Sequence, residues 1–250
     1  MMLITGIIPS RFDSTRFPGK PLAMIGDKSM IRMVWEEASK VLESVFVATD
    51  DQRIADEVTG FGGFAIMTSP DHRTGTERCA EAAGIIESQF GISPDTIINI
   101  QGDEPFFSRE QAEKLVACFD DNSVEIATLV KKIDKYDDLV NPGIPKVLIA
   151  ANGDAICFSR ATIPYNRDLP LNEWLRVTDY YKHIGMYGYR TSVLKKISSL
   201  DSTPAEISES LEQLRWLGHG YRIRTAITNT ESIGIDTPED LENAKILLNK

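Results

Sequence analysis

Basic residues are the scarce side of this chain's charge: 27 Lys and Arg stand against 37 Asp and Glu, a formal net charge of −10. With an isoelectric point near 4.9, neither a nucleic-acid partner nor an electrostatic membrane partner is expected. Histidine and cysteine are sparse too, with three of each. His72, His183 and His219 are too scattered to suggest a zinc site. Cys79, Cys118 and Cys157 form no C-x-x-C pair, the pattern of buried, reduced thiols. No apolar run approaches the roughly eighteen residues that a membrane-spanning helix needs. The opening residues MMLITGIIPSR lack a basic stretch and a small-residue cleavage site, so a cytoplasmic protein is expected. A Gly-rich dinucleotide fingerprint is also missing. GFGGFA (60–65) fits the letters but leads from a helix into a strand, the reverse of the required order; Gly60 reads as a helix cap.

What remains is an ordinary globular composition, 42% apolar and 26% charged over 250 residues, enough for one sizeable core. LITGIIP, SVFVATD, GFAIMTS and DTIINIQGDEP read as strands. They alternate with the helical patterns SMIRMVWEEASKVLE, DDQRIADEVTGFG and GTERCAEAAGIIESQF. SREQAEKLVACF follows with Ser108 and Gln111 in capping-box spacing. This order predicts an α/β fold with a mainly parallel, Rossmann-like sheet flanked by helices on both faces. In the middle, PKVLIAANGDAICFSR places a hairpin signal at Asn152-Gly153 between β-rich runs, with EIATLVKKI and YKHIGMYGYR beside it. PAEISESLEQLRWLG then reads as helix, YRIRTAITN as strand, and DTPEDLENAKILLNK as a helix capped by Thr237 and Asp240 with Pro238 at its first position. No linker appears. We expect one domain over 1–250, made of an α/β part (about 1–124), an antiparallel lobe (about 125–190) and a return to the core (191–250).

In open α/β sheets, ligands bind at the carboxyl ends of the parallel strands. The strand ends here gather Arg11, Arg16, Lys20, His72, Arg73, Gln101 and Asp103 on one edge. The first loop, in IPSRFDSTRFPGKPL, reads either as a solvated surface loop or as an anion grip. Pro18 and Pro21 stiffen it around Gly19, which suits fixed Arg and Lys donors to a triphosphate. It is not a P-loop, since Ser14 and Pro21 stand where glycine and Ser/Thr are required. QGDEP (101–105) is either a turn or the site of a magnesium ligand, Asp103. Asp236 in GIDTPED is either a capping residue or a second carboxylate for the same ion.

Taken in order, IPSRFDSTRFPGKPL, VATDDQRIAD, DHRTGTER, NIQGDEP, FSRATIPYNRD, HIGMYGYR, LEQLRWL and GIDTPEDLE run nearly the whole chain. In this combination they resemble the 3-deoxy-manno-octulosonate (Kdo) cytidylyltransferases, also called CMP-Kdo synthetases. The resemblance implies a nucleotidyltransferase fold whose first part binds CTP and whose lobe binds Kdo and forms a homodimer. It implies transfer of CMP from CTP to Kdo, with release of pyrophosphate, for lipopolysaccharide assembly. Arg11 and Lys20 would hold the CTP phosphates, with Thr74, Gly75, Thr76 and Gln101 at the nucleoside, and Asp103 and Asp236 would bind Mg²⁺. Catalysis would rest on Arg11, Lys20, Asp103 and Asp236. Arg160 and Arg167 would lie near the sugar carboxylate, and His183, Tyr187, Glu212 and Gln213 around its hydroxyls. Taken alone, the last six read as surface arginines, a sheet aromatic, a core histidine and solvent-facing helix residues. Ser10-Arg11-Phe12, Phe17-Pro18-Gly19-Lys20 and Arg73-Thr74 depart from the usual Ala-Arg-Tyr, Leu-Pro-Gly-Lys and Gln-Ser or Pro-Ser. FSRATIPYNRD and LEQLR favour Kdo over another acid sugar such as sialic acid. The intact loop cations and carboxylates argue against a catalytically silent nucleotide-binding module.

Overall fold

The apolar β-branched runs of the sequence all enter one sheet. The computed structural model describes residues 2–13, 16–231 and 234–248; Ser14 and the last two residues of the expected terminal helix lie outside them. The first half contains β1 (Ile4–Ser10), the small hairpin β2 (Met24–Ile25) and β3 (Lys28–Ser29), and α1 (Met30–Ser39). It continues through β4 (Ser44–Thr49), α2 (Gln52–Gly60), β5 (Phe64–Met67), α3 (Gly75–Phe90), β6 (Thr96–Asn99) and α4 (Arg109–Ala117). Next come β7 (Ile126–Lys132), α5 (Tyr136–Val140), β8 (Lys146–Ile149), β9 (Ala155–Ser159) and β10 (Tyr181–Arg190). The chain closes with α6 (Thr191–Ile197), α7 (Pro204–Glu209), α8 (Gln213–Gly218), β11 (Ile223–Ile227) and α9 (Pro238–Leu248).

The strand order is β11-β7-β10-β6-β1-β4-β5, with β8 paired to β10 and β9 to β8. β6, β1, β4 and β5 are parallel, which accounts for the α/β expectation. The antiparallel part does not hang from the sheet's edge: β10 is inserted between β6 and β7 and runs against both. Gly188 permits this, because a Cβ there would come within 2.5 Å of the buried Phe119 ring. β11 returns parallel to β7, and β8 and β9 form the expected hairpin, with Gly153 at a positive φ of 86° in its turn.

Helices cover both faces, each closing a core. On one face Cys79, Ala82, Ala83 and Ile86 of α3 pack with Val193, Leu194 and Ile197 of α6 and Trp216 of α8. On the other, Ile31, Val34 and Ala38 of α1 meet Ile54 and Val58 of α2 and Ala112 and Leu115 of α4. A fully buried Ile or Val stabilises the fold by about 1.5–3 kcal/mol, and apolar residues at helical spacing put them there.

The capping boxes expected at Ser108–Gln111 and Thr237–Asp240 are both formed. Two local expectations change. Gly60 is the last residue of α2, and Gly62 takes the left-handed conformation, φ 87°. The helix read across PAEISESLEQLRWLG breaks into α7 and α8 at Ser210, which sits at φ 51°. No helix among the described residues is long and apolar enough to cross a membrane.

Candidate active site

At the carboxyl end of β1 the chain leaves the sheet through Ser10 and Arg11 into the proline-rich loop. Gly19 adopts φ 71°, and its amide donates to the Phe12 carbonyl at 2.9 Å. A Cβ on Gly19 would lie 3.1 Å from the Phe12 ring, so glycine is required twice over, by conformation and by space. The Arg53 guanidinium lies 3.3 Å from the centroid of that ring and is held by a bidentate pair with Asp51. Phe12 thus serves through its ring face, a contact that needs no hydroxyl.

The loop then turns back through a short 3-10 turn at Lys20–Leu22, seated on buried Pro21. This aims Lys20 at two carboxylates. Its Nζ donates to Asp103 Oδ2 at 2.7 Å and to Asp236 Oδ1 at 3.1 Å, and only 12% of the lysine side chain is exposed. Arg16 Nη2 pairs with the other Asp236 oxygen at 3.0 Å. Asp103 follows β6 by way of Gly102, where a Cβ would press to 3.0 Å on the Pro9 carbonyl. Asp236 is brought alongside because the Ile235 amide donates to the Asp103 carbonyl at 2.9 Å. Two acids far apart in sequence thus share one ammonium.

The third wall is the amino end of α3. Thr74 caps that helix by accepting from the Glu77 amide at 3.2 Å. Gly75 sits where a Cβ would crowd the Pro9 ring at 3.2 Å. The preceding loop is tied down by Glu81, which accepts from the Ser69 amide at 2.8 Å and lies 2.5 Å from His72 Nε2. Arg78 is buried, donating to Asp50 at 2.7 Å and to Thr68 at 2.6 Å.

Together these elements enclose a cavity of about 240 Å³. All seven residues expected at the strand ends line it, together with Thr74, Gly75, Arg78 and Asp236. A second cavity of about 370 Å³ adjoins it, lined by His183, Gly185, Glu212 and Gln213 among others. Gln101, Asp103 and Asp236 line both. Gln101 is fixed by donating to the Gly185 carbonyl at 2.9 Å.

The remaining candidates fall elsewhere. Thr76 lines neither cavity; it is buried and donates to Glu212 Oε2 at 2.7 Å. Tyr187 lies beneath the second cavity, packed against His183, Tyr189 and Trp216. Arg160 is committed to backbone carbonyls, those of Glu209 at 2.6 Å, Pro142 at 3.0 Å and Ser210 at 3.4 Å. Arg167 is exposed and paired with its neighbour Asp168.

Burial sets the protonation of the second cavity. It pushes His183 down to about 4, so the imidazole is neutral near pH 7, with Nε2 3.0 Å from Thr128 Oγ1. Burial raises the Glu212 carboxyl, while the hydroxyls of Thr76 and Thr74 act in the opposite direction. Sequence reasoning gave no role to Arg78, although it closes the DHRTGTER motif. Its only signal was a cation on the first turn of a helix that opens at a strand end.

A parallel sheet with cationic and acidic loops meeting at its carboxyl edge defines a nucleotide-handling class, and the family model for cytidylyltransferases matches residues 5–245. The 3-deoxy-manno-octulosonate cytidylyltransferase of Parabacteroides distasonis is 52% identical over 99% of both chains. That of Thermodesulfovibrio yellowstonii is 45% identical over 99% of both. This chain belongs to the 3-deoxy-manno-octulosonate cytidylyltransferase family. A solved CMP:2-keto-3-deoxy-manno-octonic acid synthetase in complex with CTP superposes with a TM-score of 0.89, at 39% identity over 99% of this chain and 98% of that one. The fold alone is shared with a 4-diphosphocytidyl-2C-methyl-D-erythritol synthase from Anaerococcus prevotii, with a TM-score of 0.62 at 13% identity and 100% and 99% coverage.

Proposed function

We propose that this enzyme transfers CMP from CTP to the anomeric hydroxyl of Kdo, giving CMP-Kdo and pyrophosphate for lipopolysaccharide assembly. One observation carries the proposal: Asp103 and Asp236 stand on the wall shared by a cationic cavity and a polar one. The cationic cavity suits the triphosphate, with Arg11, Arg16 and Lys20 as donors. The second suits the sugar, with neutral His183, Glu212 and Gln213 facing its hydroxyls. Arg160 would act through the 209–210 turn that it braces, and Arg167 from the open edge.

The two carboxylates fit a divalent cation, proposed to be Mg²⁺. They already converge on one positive group, the Lys20 ammonium. Among the described residues no group of three or more His, Cys, Asp and Glu could hold a metal, and Mg²⁺ needs only one or two carboxylates when phosphates complete its shell. Bound there, the ion would add positive charge at the α-phosphate and acidify an adjacent hydroxyl.

In the reaction, the anomeric oxygen forms a bond to the α-phosphorus as the bond to the β-phosphate bridge breaks. Pyrophosphate leaves with the bridging electrons, and the hydroxyl proton passes to solvent. The chain's own contribution is alignment and charge: the stiff loop fixes Lys20 and Arg11, and the second cavity presents the sugar oxygen. No nucleophilic side chain is required. The active species is proposed to be a homodimer joined through the antiparallel part, where Ile156, Tyr165 and Val177 are exposed.

Pyrophosphate release from CTP tests the reading, with Kdo against sialic acid and with magnesium present or withheld. Release with Kdo and magnesium, and little with sialic acid, is expected. Equal release with both sugars would show a broader acid-sugar enzyme, and none with either a silent binding module. Sedimentation of the active protein at twice its 27.8 kDa mass is the outcome expected for the dimer.

A further inference from the structure

Thr76 and Glu212 are separated by 136 residues, yet a 2.7 Å hydrogen bond joins them. Each belongs to a different wall. Thr76 is the second residue of α3, directly after the Thr74-Gly75 pair that lines the cationic cavity. Glu212 is the residue before α8 and lines the second cavity. The threonine is 2% exposed. The other Glu212 oxygen, Oε1, is buried and has no hydrogen-bond partner among the described residues. Thr76 is the larger of two hydroxyl influences on this carboxyl, Thr74 being the other, and a buried carboxyl that loses its main hold can rotate.

We propose that Thr76 is a positioning residue for the sugar end of the site, whose hydroxyl fixes the orientation of the Glu212 carboxyl on the wall of the second cavity. This rests on the functional reading above, in which the second cavity takes Kdo. Three features support it. Thr76 is β-branched and sits in a helix, where χ1 has few options, so its hydroxyl direction is set by the backbone. The Glu212 carboxylate also lies against the amino end of the sixteen-residue α3, where negative charge is favoured. Finally, the bond joins the helix whose first turn meets the nucleotide to the turn that meets the sugar, so the two ends are held in register.

Thr76→Val keeps the volume and removes only the donor. In this variant KM for Kdo is expected to rise roughly tenfold or more, as when a hydrogen bond to a charged group is lost, while KM for CTP stays near the parent value. Thr76→Ser restores the hydroxyl and is expected to restore KM for Kdo. Adding Thr76→Val to Glu212→Gln is expected to cause little further loss, because both changes break one interaction. A purely structural role predicts a changed melting temperature with KM for Kdo unmoved, and that result overturns the proposal. A second readout needs no substrate: the ¹³C shift of the labelled Glu212 carboxyl, followed against pH, is expected to give a higher midpoint in Thr76→Val than in the parent. If the parent enzyme releases no pyrophosphate with Kdo, the functional reading fails. The carboxyl titration then still decides whether Thr76 holds Glu212, and an unmoved midpoint overturns it.

Discussion

Asp103 and Asp236 each carry a cation partner from the loop, so the acidic pair is poised around positive charge before substrate arrives. Lys20 serves both acids, and Arg16 takes the outer oxygen of Asp236. In the proposed reaction this makes the carboxylates matter for the transition state and the loop cations for the nucleotide. Asp103→Asn removes a negative charge without removing bulk. It is expected to lower kcat about a hundredfold or more, the scale of losing one electrostatic stabiliser, while CTP affinity changes little. Steady-state kinetics at saturating magnesium, with CTP affinity from calorimetry, checks this; near-parent turnover would sink the assignment. The place of Asp103 at the strand-end edge was legible in the sequence because its QGDEP stretch follows an apolar run. Its meeting with Asp236 was not, because the bond that joins their segments is a backbone one, Ile235 to Asp103, which leaves no mark on side-chain spacing. Arg78 was hidden for a related reason. Its role rests on reaching Asp50 and Thr68, which lie on other elements.

At the scale of elements, the order of the parallel half was readable, since its strands are apolar runs and its helices carry their own caps, although β6 and α1 end earlier than their runs and the β2–β3 hairpin left no apolar signal. Gly75–Phe90 is the clearest case: the helix spans the segment read from the sequence, GTERCAEAAGIIESQF. The 204–218 segment was not readable, since PAEISESLEQLRWLG has helical spacing throughout. Tertiary contacts break it. Ser159 and the Arg160 amide both donate to the Glu209 carboxylate, at 2.6 and 2.7 Å, and the Arg160 guanidinium takes the carbonyls around Ser210. These contacts hold Ser210 in its left-handed conformation and turn the chain so that Glu212 and Gln213 face the second cavity. Arg160→Leu is therefore expected to destabilise the ligand-free protein by about 2 kcal/mol, as three backbone carbonyls lose a charged donor. For a chain of this length that is roughly 4 to 8 °C in melting temperature. An arginine serving only the sugar carboxylate would leave the unliganded melting temperature unchanged, so calorimetry without ligand separates the two roles.

For the whole molecule, the groups buried around the second cavity set how stability depends on pH. His183 is neutral in the fold, with its pKa lowered by burial from the ordinary 6.5 to about 4. As pH falls through 6.5 the unfolded chain takes up a proton that the folded chain refuses until about pH 4. Stability present above pH 6.5 is therefore lost across that window, by about 3 kcal/mol at most. Several carboxylates add to the loss at lower pH. Glu206, held down chiefly by its hydrogen bond to Arg215, Glu209 by Ser159 and Glu231 by Lys182, contribute stability that disappears as pH falls through their lowered values. Glu212, raised by burial, works the other way and gains stability as it protonates. The expected curve is flat from pH 7 to 8, declines from 6.5 towards 4.5 through His183, and steepens below through the paired carboxylates. His183→Gln keeps a polar group beside Thr128 but cannot titrate. It is expected to melt lower than the parent at pH 8, yet with a shallower slope between pH 6.5 and 4.5. A parent-like slope in that variant would assign the acid sensitivity elsewhere. The same burial that makes His183 acid-sensitive keeps it uncharged near pH 7, so in the proposed reaction it would offer the sugar a neutral imidazole.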